Sequence, residues 1–492
     1  MSIPVRAGQP AAALEADATP VYVDLDGTLI LTDLLWESLL SALRRNPLAA
    51  LRALLQLRHG RAAMKQALAR LAVLEPGALP YNEPLLGWLR ESARGGRPIY
   101  LATAADGELA RRVAQHVGVF AGVLASDGRD NLKGPRKLDA IRRHRGEGAF
   151  DYCGNGPEDV VIFEAAREAI VVNATPSVRG AAQQRARVTR SFDGPPSGAR
   201  AWLKALRLHQ WLKNLLVFVP LVTSFRIGDP ASLGLAFGAF VAFCAVASAG
   251  YLVNDLLDLA SDRHHPTKRH RPLASGRVGV PAAVGAAALG FAGGGALALA
   301  FSPALAAWLA AYAVLTLAYS LAIKRVPVFD LMALAALYTI RVLAGGAAVD
   351  VEVSFWLLAF SAFLFFSLAT IKRCAELVSM RARNEATARG RGYQASDLEV
   401  LKSLGTATSV GAVLVLALYV QAPDVAQRYG SPRLLWLMLT GLLAWLAQLW
   451  LVTWRGRMHD DPLVFALRDP VSRWLVLAMV AAFSGAAMLG AR

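Results

Sequence analysis

The sequence predicts a two-domain protein, in which an α/β domain with a Rossmann-like fold precedes an all-α bundle that spans a membrane. Three observations support this prediction. The chain has 492 residues, well beyond the roughly 300 at which a single hydrophobic core stops growing. Hydrophobic residues make up 55% of the chain and charged residues only 18%, against roughly 25% charged residues in soluble proteins. Short β-rich runs alternate with amphipathic stretches near the N-terminus, and long apolar stretches dominate the rest.

The charge balance narrows the class of protein. The chain contains 52 Lys and Arg and 36 Asp and Glu residues, a formal net charge of +16. Because so few residues are charged, this excess is typical of a membrane protein with basic cytoplasmic loops and argues against a nucleic-acid binder. The three cysteines, Cys153, Cys244 and Cys374, are far apart, so we expect neither a disulfide framework nor a structural zinc site.

Residues 1–182 form the predicted α/β domain. Four β-rich runs, the first at Val21–Val23, alternate with helical segments, which predicts a parallel sheet. No secretory signal precedes them, so we expect the domain to stay in the cytoplasm. A polar segment rich in Pro and Gly, 183–204, is predicted as a linker to the membrane domain at 205–492.

Nine apolar stretches predict nine transmembrane helices, since most approach the ~20 residues needed to cross the hydrocarbon. They are 211–225, 233–253, 281–300, 303–322, 328–348, 353–371, 405–421, 434–453 and 472–490. With a cytoplasmic N-terminus, the inside loops carry 17 Lys and Arg residues and the outside loops carry three. This asymmetry follows the positive-inside rule, and it predicts an integral protein of the inner or plasma membrane.

Two aspartates after the first predicted strand are candidates for phosphoryl-transfer chemistry. Asp24 and Asp26 lie at the carboxyl end of a strand, where open α/β sheets bind ligands. One carboxylate of such a pair can attack phosphorus, while the other protonates the leaving oxygen and later activates water. Bound Mg²⁺ would screen the charge.

The run Asp-Leu-Asp-Gly-Thr from Asp24 resembles the first motif of the haloacid dehalogenase superfamily, and its other motifs follow in order. The resemblance implies that Thr103 holds the phosphate and that Lys137 neutralises charge. The stretch Gly154–Asp159 is similar to the acidic metal motif.

The same resemblance implies a magnesium site formed by Asp24, Asp26 and Asp159, and a small helical cap at about 31–90. Asn155 departs from the commoner Asp at the start of the acidic motif. An inactive domain that retains these turns is the alternative interpretation.

A carboxylate cluster follows the second apolar stretch. Asp255, Asp258 and Asp262 are spaced i, i+3 and i+7, so a continuous helix would carry all three on one face, beside Asn254. Carboxylates clustered at the end of a membrane-spanning helix can bind Mg²⁺, which takes its other ligands from water and substrate phosphates. The pattern predicts a diphosphate substrate; a polar helix end paired with the next loop is the alternative.

The loop after the acids is basic. Lys268, Arg269 and Arg271 can clamp phosphate oxygens. Such charges also serve as topology signals, but their adjacency to the acidic cluster favours phosphate binding.

A second group of polar residues surrounds the fifth stretch. Tyr319, Lys324 and Asp330 precede Arg341, which lies eleven residues beyond Asp330 and so about 16 Å deeper on the same helix face. A guanidinium at that depth needs a partner. A structural ion pair and a ligand contact remain alternatives for Arg341.

These patterns together resemble the UbiA superfamily of intramembrane prenyltransferases, which have nine transmembrane helices. The resemblance rests on Asn254-Asp255-x-x-Asp258-x-x-x-Asp262, on Arg271–Gly276 and on the series Tyr319, Lys324 and Asp330. Further pieces are similar to the decaprenyl-phosphate phosphoribosyltransferase branch; they lie at 210–214, 265–269, 372–377, 390–393 and 459–462.

The branch resemblance implies Mg²⁺-dependent transfer of a phosphoribosyl group from phosphoribosyl diphosphate to polyprenyl phosphate, a step toward cell-wall polysaccharides. It makes Lys372 and Arg373, in a loop with six Lys and Arg residues, candidates for binding the 5-phosphate of the donor. Aromatic prenyltransferases usually carry paired aspartates in the second motif. In this sequence Asp330 has no such partner, because the residues four positions before and after it are Val326 and Leu334.

Two alternatives to phosphoribosyl transfer stay open: transfer from a polyprenyl diphosphate to an aromatic acceptor, and a transporter or scaffold with an inactive phosphatase domain. We expect a bilayer and no nucleic acid as partners, and the oligomeric state stays open. An active phosphatase domain could remove the 5-phosphate from the lipid product.

Overall fold

The computed structural model describes residues 19–382, 392–422, 429–458 and 461–488. The chain forms two compact units. The first comprises Met1–Ala205 and Asp255–Ala283, and the second comprises Leu206–Asn254 and Val284–Arg492. Four residues of the motifs quoted above, Gly390, Arg391, His459 and Asp460, lie outside the described residues.

A parallel sheet forms the centre of the first unit. Its strands are β1 Val21–Val23, β2 Ile99–Asp106, β3 Gly122–Ser126, β4 Asp151–Gly154, β5 Glu168–Val172 and β6 Val188–Phe192. The six strands lie in the order β3-β2-β1-β4-β5-β6, and every neighbouring pair is parallel. The predicted α/β domain with a parallel sheet is confirmed.

Helices of the first unit connect these strands and cover the sheet. They are α1 Leu34–Arg45, α2 Pro47–Leu55, α3 Arg61–Leu71, α4 Glu83–Arg94, α5 Gly107–Val117, α6 Pro135–Arg145, α7 Val160–Ala165 and α8 Pro176–Arg185. Alternate residues of β1 enter different cores: Val21 and Val23 pack in one hydrophobic cluster and Tyr22 in another. Strand β1, in the middle of the sheet, is therefore buried on both faces, as is typical of a parallel sheet.

The segment predicted as a cap is helical. Helices α1–α3 share a small core of Ala42, Ala50, Ala53 and Leu68, whereas α4 packs in the main core through Leu85, Leu86 and Leu89. We use the word cap below for α1–α3.

The segment predicted as a linker contains regular structure. Strand β6 pairs with β5, placing Phe192 opposite Val172, and α9 spans Ala199–Ala205. The hydrogen-bonding edge of β5 accounts for the strand, which the polar composition of the segment did not indicate. The domain boundaries themselves remain a prediction.

The remaining elements are helices. They are α10 Val219–Thr223, α11 Pro230–Leu257, α12 Leu259–His264, α13 Val280–Phe301, α14 Pro303–Leu321, α15 Phe329–Ala348, α16 Phe355–Ala382, α17 Leu398–Gln421, α18 Leu435–Trp454, α19 Pro462–Arg468 and α20 Pro470–Met488. In the described part of the chain, eight helices are long and apolar enough to cross a membrane. They correspond to the second through ninth predicted stretches.

The first predicted stretch, 211–225, is not among those eight helices. It forms a 3₁₀ helix at Leu208–Phe218 followed by the short α10. Lys213 and Asn214 are buried within it, and a Cβ atom added at Gly345 of α15 would lie 2.0 Å from the Val217 carbonyl oxygen. The segment therefore packs closely inside the second unit, and the count of nine spans stays a prediction.

Candidate functional sites

The first candidate site lies at the carboxyl ends of β1 and β4, where one lysine joins two carboxylates. Lys137 of α6 places its Nζ 2.9 Å from Oδ1 of Asp24 and 3.4 Å from Oδ1 of Asp159. All three residues are buried. The structure thus brings together the predicted nucleophile, the charge-neutralising lysine and the acid of the last motif.

The charge of Lys137 and three hydrogen bonds favour the ionised form of Asp159. Its carboxylate accepts from the Tyr152 hydroxyl at 2.7 Å and from the backbone N–H groups of Asn155 and Gly156 at 3.0 and 2.9 Å. Although burial opposes ionisation, Lys137 and these donors lower the pKa of Asp159. Burial raises the pKa of Asp24 to about 6, partly offset by Lys137.

Asp26 and Thr103, the other two residues predicted for this site, accept hydrogen bonds from nearby backbone groups. Asp26 Oδ1 accepts from the Leu34 backbone N–H at 2.9 Å, and burial raises its pKa well above the ordinary value. The Thr103 hydroxyl oxygen accepts from the Ala105 backbone N–H at 3.0 Å. This geometry keeps the start of the cap attached to the second aspartate.

The Asn155 side chain occupies the space beside the first motif. Gly27 has φ +75° and a Cβ atom there would lie 2.2 Å from Nδ2 of Asn155. Only glycine combines that backbone conformation with so close a neighbour. The amide of Asn155 therefore packs against the turn that carries Asp24 and Asp26.

The second candidate site is the carboxylate cluster around the end of α11. The Arg271 Nη1 atom lies 3.2 Å from Oδ1 of Asp255 and 2.6 Å from Oδ2 of Asp262, and both carboxylates are buried. Helix α11 ends at Leu257, and Asp258 is the N-cap residue of α12. The three acids therefore do not share one continuous helix, yet two of them converge on a single cationic atom.

The donor set at this cluster fits a magnesium ion. Carboxylate oxygens are the ligands that Mg²⁺ prefers, and one or two of them normally suffice because water and phosphate supply the others. Among the described residues, no group of three or more His, Cys, Asp or Glu is arranged to hold a metal. Asp255 and Asp262 both contact one cationic side chain, that of Arg271. They therefore provide the two carboxylates that such a magnesium site needs. Asp24 and Asp159 share Lys137 in the same way.

An ion pair within the first unit attaches the cap to the segment that carries the acids. The Arg263 guanidinium donates to both carboxylate oxygens of Glu37 in α1, at 3.0 and 2.6 Å, and to the Ala274 carbonyl at 3.2 Å. Glu37 also accepts from the Thr32 hydroxyl at 2.6 Å. Such bidentate pairs fix geometry as well as charge.

Removing one partner of this pair should destabilise the first unit. Glu37→Gln leaves the Arg263 side chain, which is 6% exposed, without its buried counter-charge, and we expect the free energy of unfolding to fall by about 3–5 kcal/mol. Urea unfolding followed by tryptophan fluorescence measures this loss.

Two controls accompany that measurement. Glu164→Gln removes an exposed pair with Arg185 and should cost less than about 1 kcal/mol. Replacing Glu37 and Arg263 together by leucine should recover most of the loss. Equal losses for Glu37→Gln and Glu164→Gln would show that the buried pair has no special role.

In the second unit, Asp330 at the start of α15 is fully buried and paired. It accepts hydrogen bonds from the Arg373 guanidinium of α16 and from the Tyr393 hydroxyl, both at 2.5 Å. Arg373 also pairs with Glu376, and Tyr393 accepts from the Val328 backbone N–H. In this network the charges of Asp330 and Arg373, both predicted binding residues, neutralise each other.

Arg341 lies in α15 among neutral partners. Its guanidinium donates to the Asn214 amide oxygen at 2.8 Å and to the Tyr312 hydroxyl at 2.9 Å, and it also donates to the Leu337 carbonyl. Within the described residues, no salt bridge joins Arg341 to a carboxylate. The structural ion pair considered for Arg341 is therefore not formed there.

The remaining predicted binding residues lie at helix ends and turns. Asn254 is in the last turn of α11, Tyr319 is near the end of α14, and Lys324 is in a turn after it; all three are half-buried. Lys268 and Arg269 are exposed in a 3₁₀ turn. Their roles stay predictions.

Four residues that form polar contacts in the structure were not identified as candidate site residues from the sequence. Lys65 of the cap donates to the Ala104 carbonyl at 2.7 Å beside Asp26, and Tyr152 bonds Asp159. For Lys65 and Tyr152 the sequence shows only the periodicity of a helix and of a strand, and no motif that would mark them as site residues. Lys213 and Asp461, 2.6 Å apart, lie in the motif pieces at 210–214 and 459–462, which provided a signal but no role.

The fold describes an integral membrane protein that also contains an α/β domain, and its carboxylates lie in two clusters. Residues 215–489 match the UbiA prenyltransferase family. The chain belongs to the UbiA prenyltransferase family, and the resemblance to that family is confirmed.

Two relatives and one solved structure show how similar known proteins are to this chain. The uncharacterized protein y4nM of Sinorhizobium fredii is 38% identical over 466 residues, 94% of this chain and 90% of that protein. The decaprenyl-phosphate phosphoribosyltransferase of Mycolicibacterium smegmatis is 32% identical over 302 residues, 60% of this chain and 94% of the relative. A solved structure of a UbiA homolog from Archaeoglobus fulgidus, bound to GPP and Mg²⁺, aligns with a TM-score of 0.45 and 18% identity over 58% of this chain and 99% of that one.

Proposed function

We propose that the protein transfers a phosphoribosyl group from phosphoribosyl diphosphate to a polyprenyl phosphate, with Asp255 and Asp262 as ligands of Mg²⁺. The observation that carries the proposal is the convergence of these two buried carboxylates on one cationic atom. The similarity to a decaprenyl-phosphate phosphoribosyltransferase along 94% of its length supports the choice of substrates.

In this reaction the bond between C1 of the ribose and the diphosphate breaks, and an oxygen of the lipid phosphate forms the new bond to C1. Bound Mg²⁺ would neutralise the departing diphosphate. Asp255 and Asp262 would hold the cation, and Asp258, at the break between α11 and α12, is a third candidate ligand. Arg271, between the two carboxylates, is positioned to donate to a diphosphate oxygen.

The α/β domain is proposed to be a phosphatase of the haloacid dehalogenase type, with Asp24 as nucleophile and Asp26 as general acid and base. Lys137, between Asp24 and Asp159, would neutralise the phosphate and Thr103 would hold it. The excess of basic residues in one set of loops supports a cytoplasmic position for this domain. A dephosphorylated ribosyl lipid would then be the final product.

Metal dependence tests the proposed transfer. Purified protein in detergent, supplied with labelled phosphoribosyl diphosphate and polyprenyl phosphate, should form labelled lipid only with a divalent cation. EDTA should stop the reaction and excess Mg²⁺ should restore it, because two carboxylates cannot bind a diphosphate without a bridging cation. Undiminished transfer after thorough chelation would remove the metal from the mechanism.

Transfer of a prenyl group to an aromatic acceptor is the second candidate, since the family name describes prenyltransferases. It would use the same carboxylate cluster. The absence of an acid at Val326 and Leu334, beside Asp330, favours the phosphoribosyl reaction.

A further inference from the structure

The second helix of the cap carries an apolar stripe on its outer surface. In α2 the small residues Ala50 and Ala53 pack into the core that α1–α3 share, whereas Leu48, Leu51 and Leu55 are 68%, 54% and 66% exposed. These leucines are spaced i, i+3 and i+7, so they lie on one face of the helix. We call Leu48, Leu51 and Leu55 the leucine stripe. The large side chains of α2 therefore point away from the cap core, and its small ones point into it.

The part of the cap that contains the leucine stripe is strongly basic. Between Glu37 and Glu75 the chain has seven Lys and Arg residues and no Asp or Glu, so residues 38–74 carry a formal charge of +7. Six of the seven are exposed arginines: Arg44, Arg45, Arg52, Arg58, Arg61 and Arg70. The exposed leucines thus lie within a segment that supplies no negative charge of its own.

We propose that this face of the cap binds an anionic lipid surface. The leucine stripe would insert among the acyl chains, and the arginines would lie at the level of the phosphate head groups. A short amphipathic segment with leucines on one face and arginines beside them is typical of helices that lie in a membrane interface. Anionic head groups supply the negative charge that residues 38–74 lack.

The charge and the setting of the cap favour a lipid surface over a protein partner. Exposed apolar patches with a polar rim mark contacts with proteins or with membranes. A protein partner would need a matching set of carboxylates, whereas the chain is an integral membrane protein and a lipid surface is present wherever it is folded. The inference goes beyond both proposed reactions, because the leucine stripe and the six arginines belong to neither candidate site.

Quenching by spin-labelled lipids tests the contact. Leu51→Cys in the full-length protein would carry the fluorophore NBD, since the native cysteines Cys153, Cys244 and Cys374 are buried. The protein would be placed in nanodiscs of phosphatidylcholine, with or without phosphatidylglycerol, that contain lipids with a nitroxide near the head group. We expect the nitroxide to lower the emission by about half or more in discs with phosphatidylglycerol, and less in discs without it.

A second labelling position shows whether the quenching is specific to the cap. Glu147→Cys places the same fluorophore in the exposed turn between α6 and β4. That turn lies at the amino ends of the parallel strands, whereas the cap follows the carboxyl end of β1. We expect the nitroxide lipids to leave the emission at this position unchanged.

A pair of charge variants tests the role of the arginines. Replacing Arg52 and Arg58 by glutamine in the labelled Leu51→Cys protein should remove most of the additional quenching that phosphatidylglycerol causes, because the attraction to anionic head groups is lost. High salt should have the same effect, since these charges are exposed. The matched control replaces Arg142 and Arg143, exposed arginines of α6, and should quench as the unmodified labelled protein does.

Three results would overturn the proposal. The first is emission from the label at Leu51 that the nitroxide lipids do not change, and the second is equal quenching at Glu147. The third is quenching that responds neither to phosphatidylglycerol nor to the loss of Arg52 and Arg58. A blue-shifted emission at Leu51 without quenching would assign the leucine stripe to a protein contact instead.

Discussion

Asp255→Asn is expected to lower the turnover number of lipid transfer by about 10³-fold, while phosphatase activity stays at the wild-type level. The variant removes one of two carboxylates that converge near Arg271. The loss of charge weakens both the metal site and the stabilisation of the departing diphosphate, worth about 4 kcal/mol. Initial rates of labelled lipid formation at saturating substrates measure the effect.

The control for this variant is Glu399→Gln, which removes a carboxylate that is 66% exposed and paired with Lys402. It should transfer at nearly the wild-type rate. Full activity in a folded Asp255→Asn protein would exclude Asp255 as a metal ligand, and loss of both activities would contradict separate sites.

Asp24→Asn should abolish phosphatase turnover, by about 10⁴-fold or more, because the amide cannot act as the nucleophile. Lipid transfer should continue. With labelled phosphoribosyl diphosphate and polyprenyl phosphate, this variant should accumulate the phosphoribosyl lipid, whereas wild type should proceed to the ribosyl lipid. Mass spectrometry of the extracted lipids distinguishes the two by one phosphate group.

Asp127→Asn is the matched control, since Asp127 lies in an exposed turn after β3 and caps the backbone N–H groups of Arg129 and Asp130. It should process the lipid as wild type does. Identical product profiles for wild type and Asp24→Asn would refute coupled dephosphorylation, and an absence of phosphatase activity in wild type would favour the inactive-domain alternative.

Local patterns predicted the elements that depend on local sequence. The β-rich run at Val21–Val23 and the motif after it identified β1 and the position of Asp24, because a buried parallel strand reads as an apolar run. Eight of the nine apolar stretches became long helices. The stretch at 211–225 differed because its buried Lys213 and Asn214 form contacts with distant helices, which hydropathy does not register.

Contacts between distant residues account for what the sequence did not reveal. Lys213 and Asp461 are separated by 248 positions, and Glu37 and Arg263 by 226, so no spacing rule connects either pair. Strand β6 depends on the edge of β5 rather than on its own polar sequence. The break at Asp258 likewise changed the expected helix face without separating Asp255 from Asp262.

The mass of the lipid product tests the central claim most directly. Wild-type protein with Mg²⁺ would receive phosphoribosyl diphosphate and polyprenyl phosphate in one reaction, and polyprenyl diphosphate with an aromatic acceptor such as 4-hydroxybenzoate in another. The account predicts a lipid carrying a phosphoribosyl or ribosyl group in the first reaction and no prenylated aromatic in the second. A prenylated aromatic product, with no sugar added to the lipid phosphate, would contradict it.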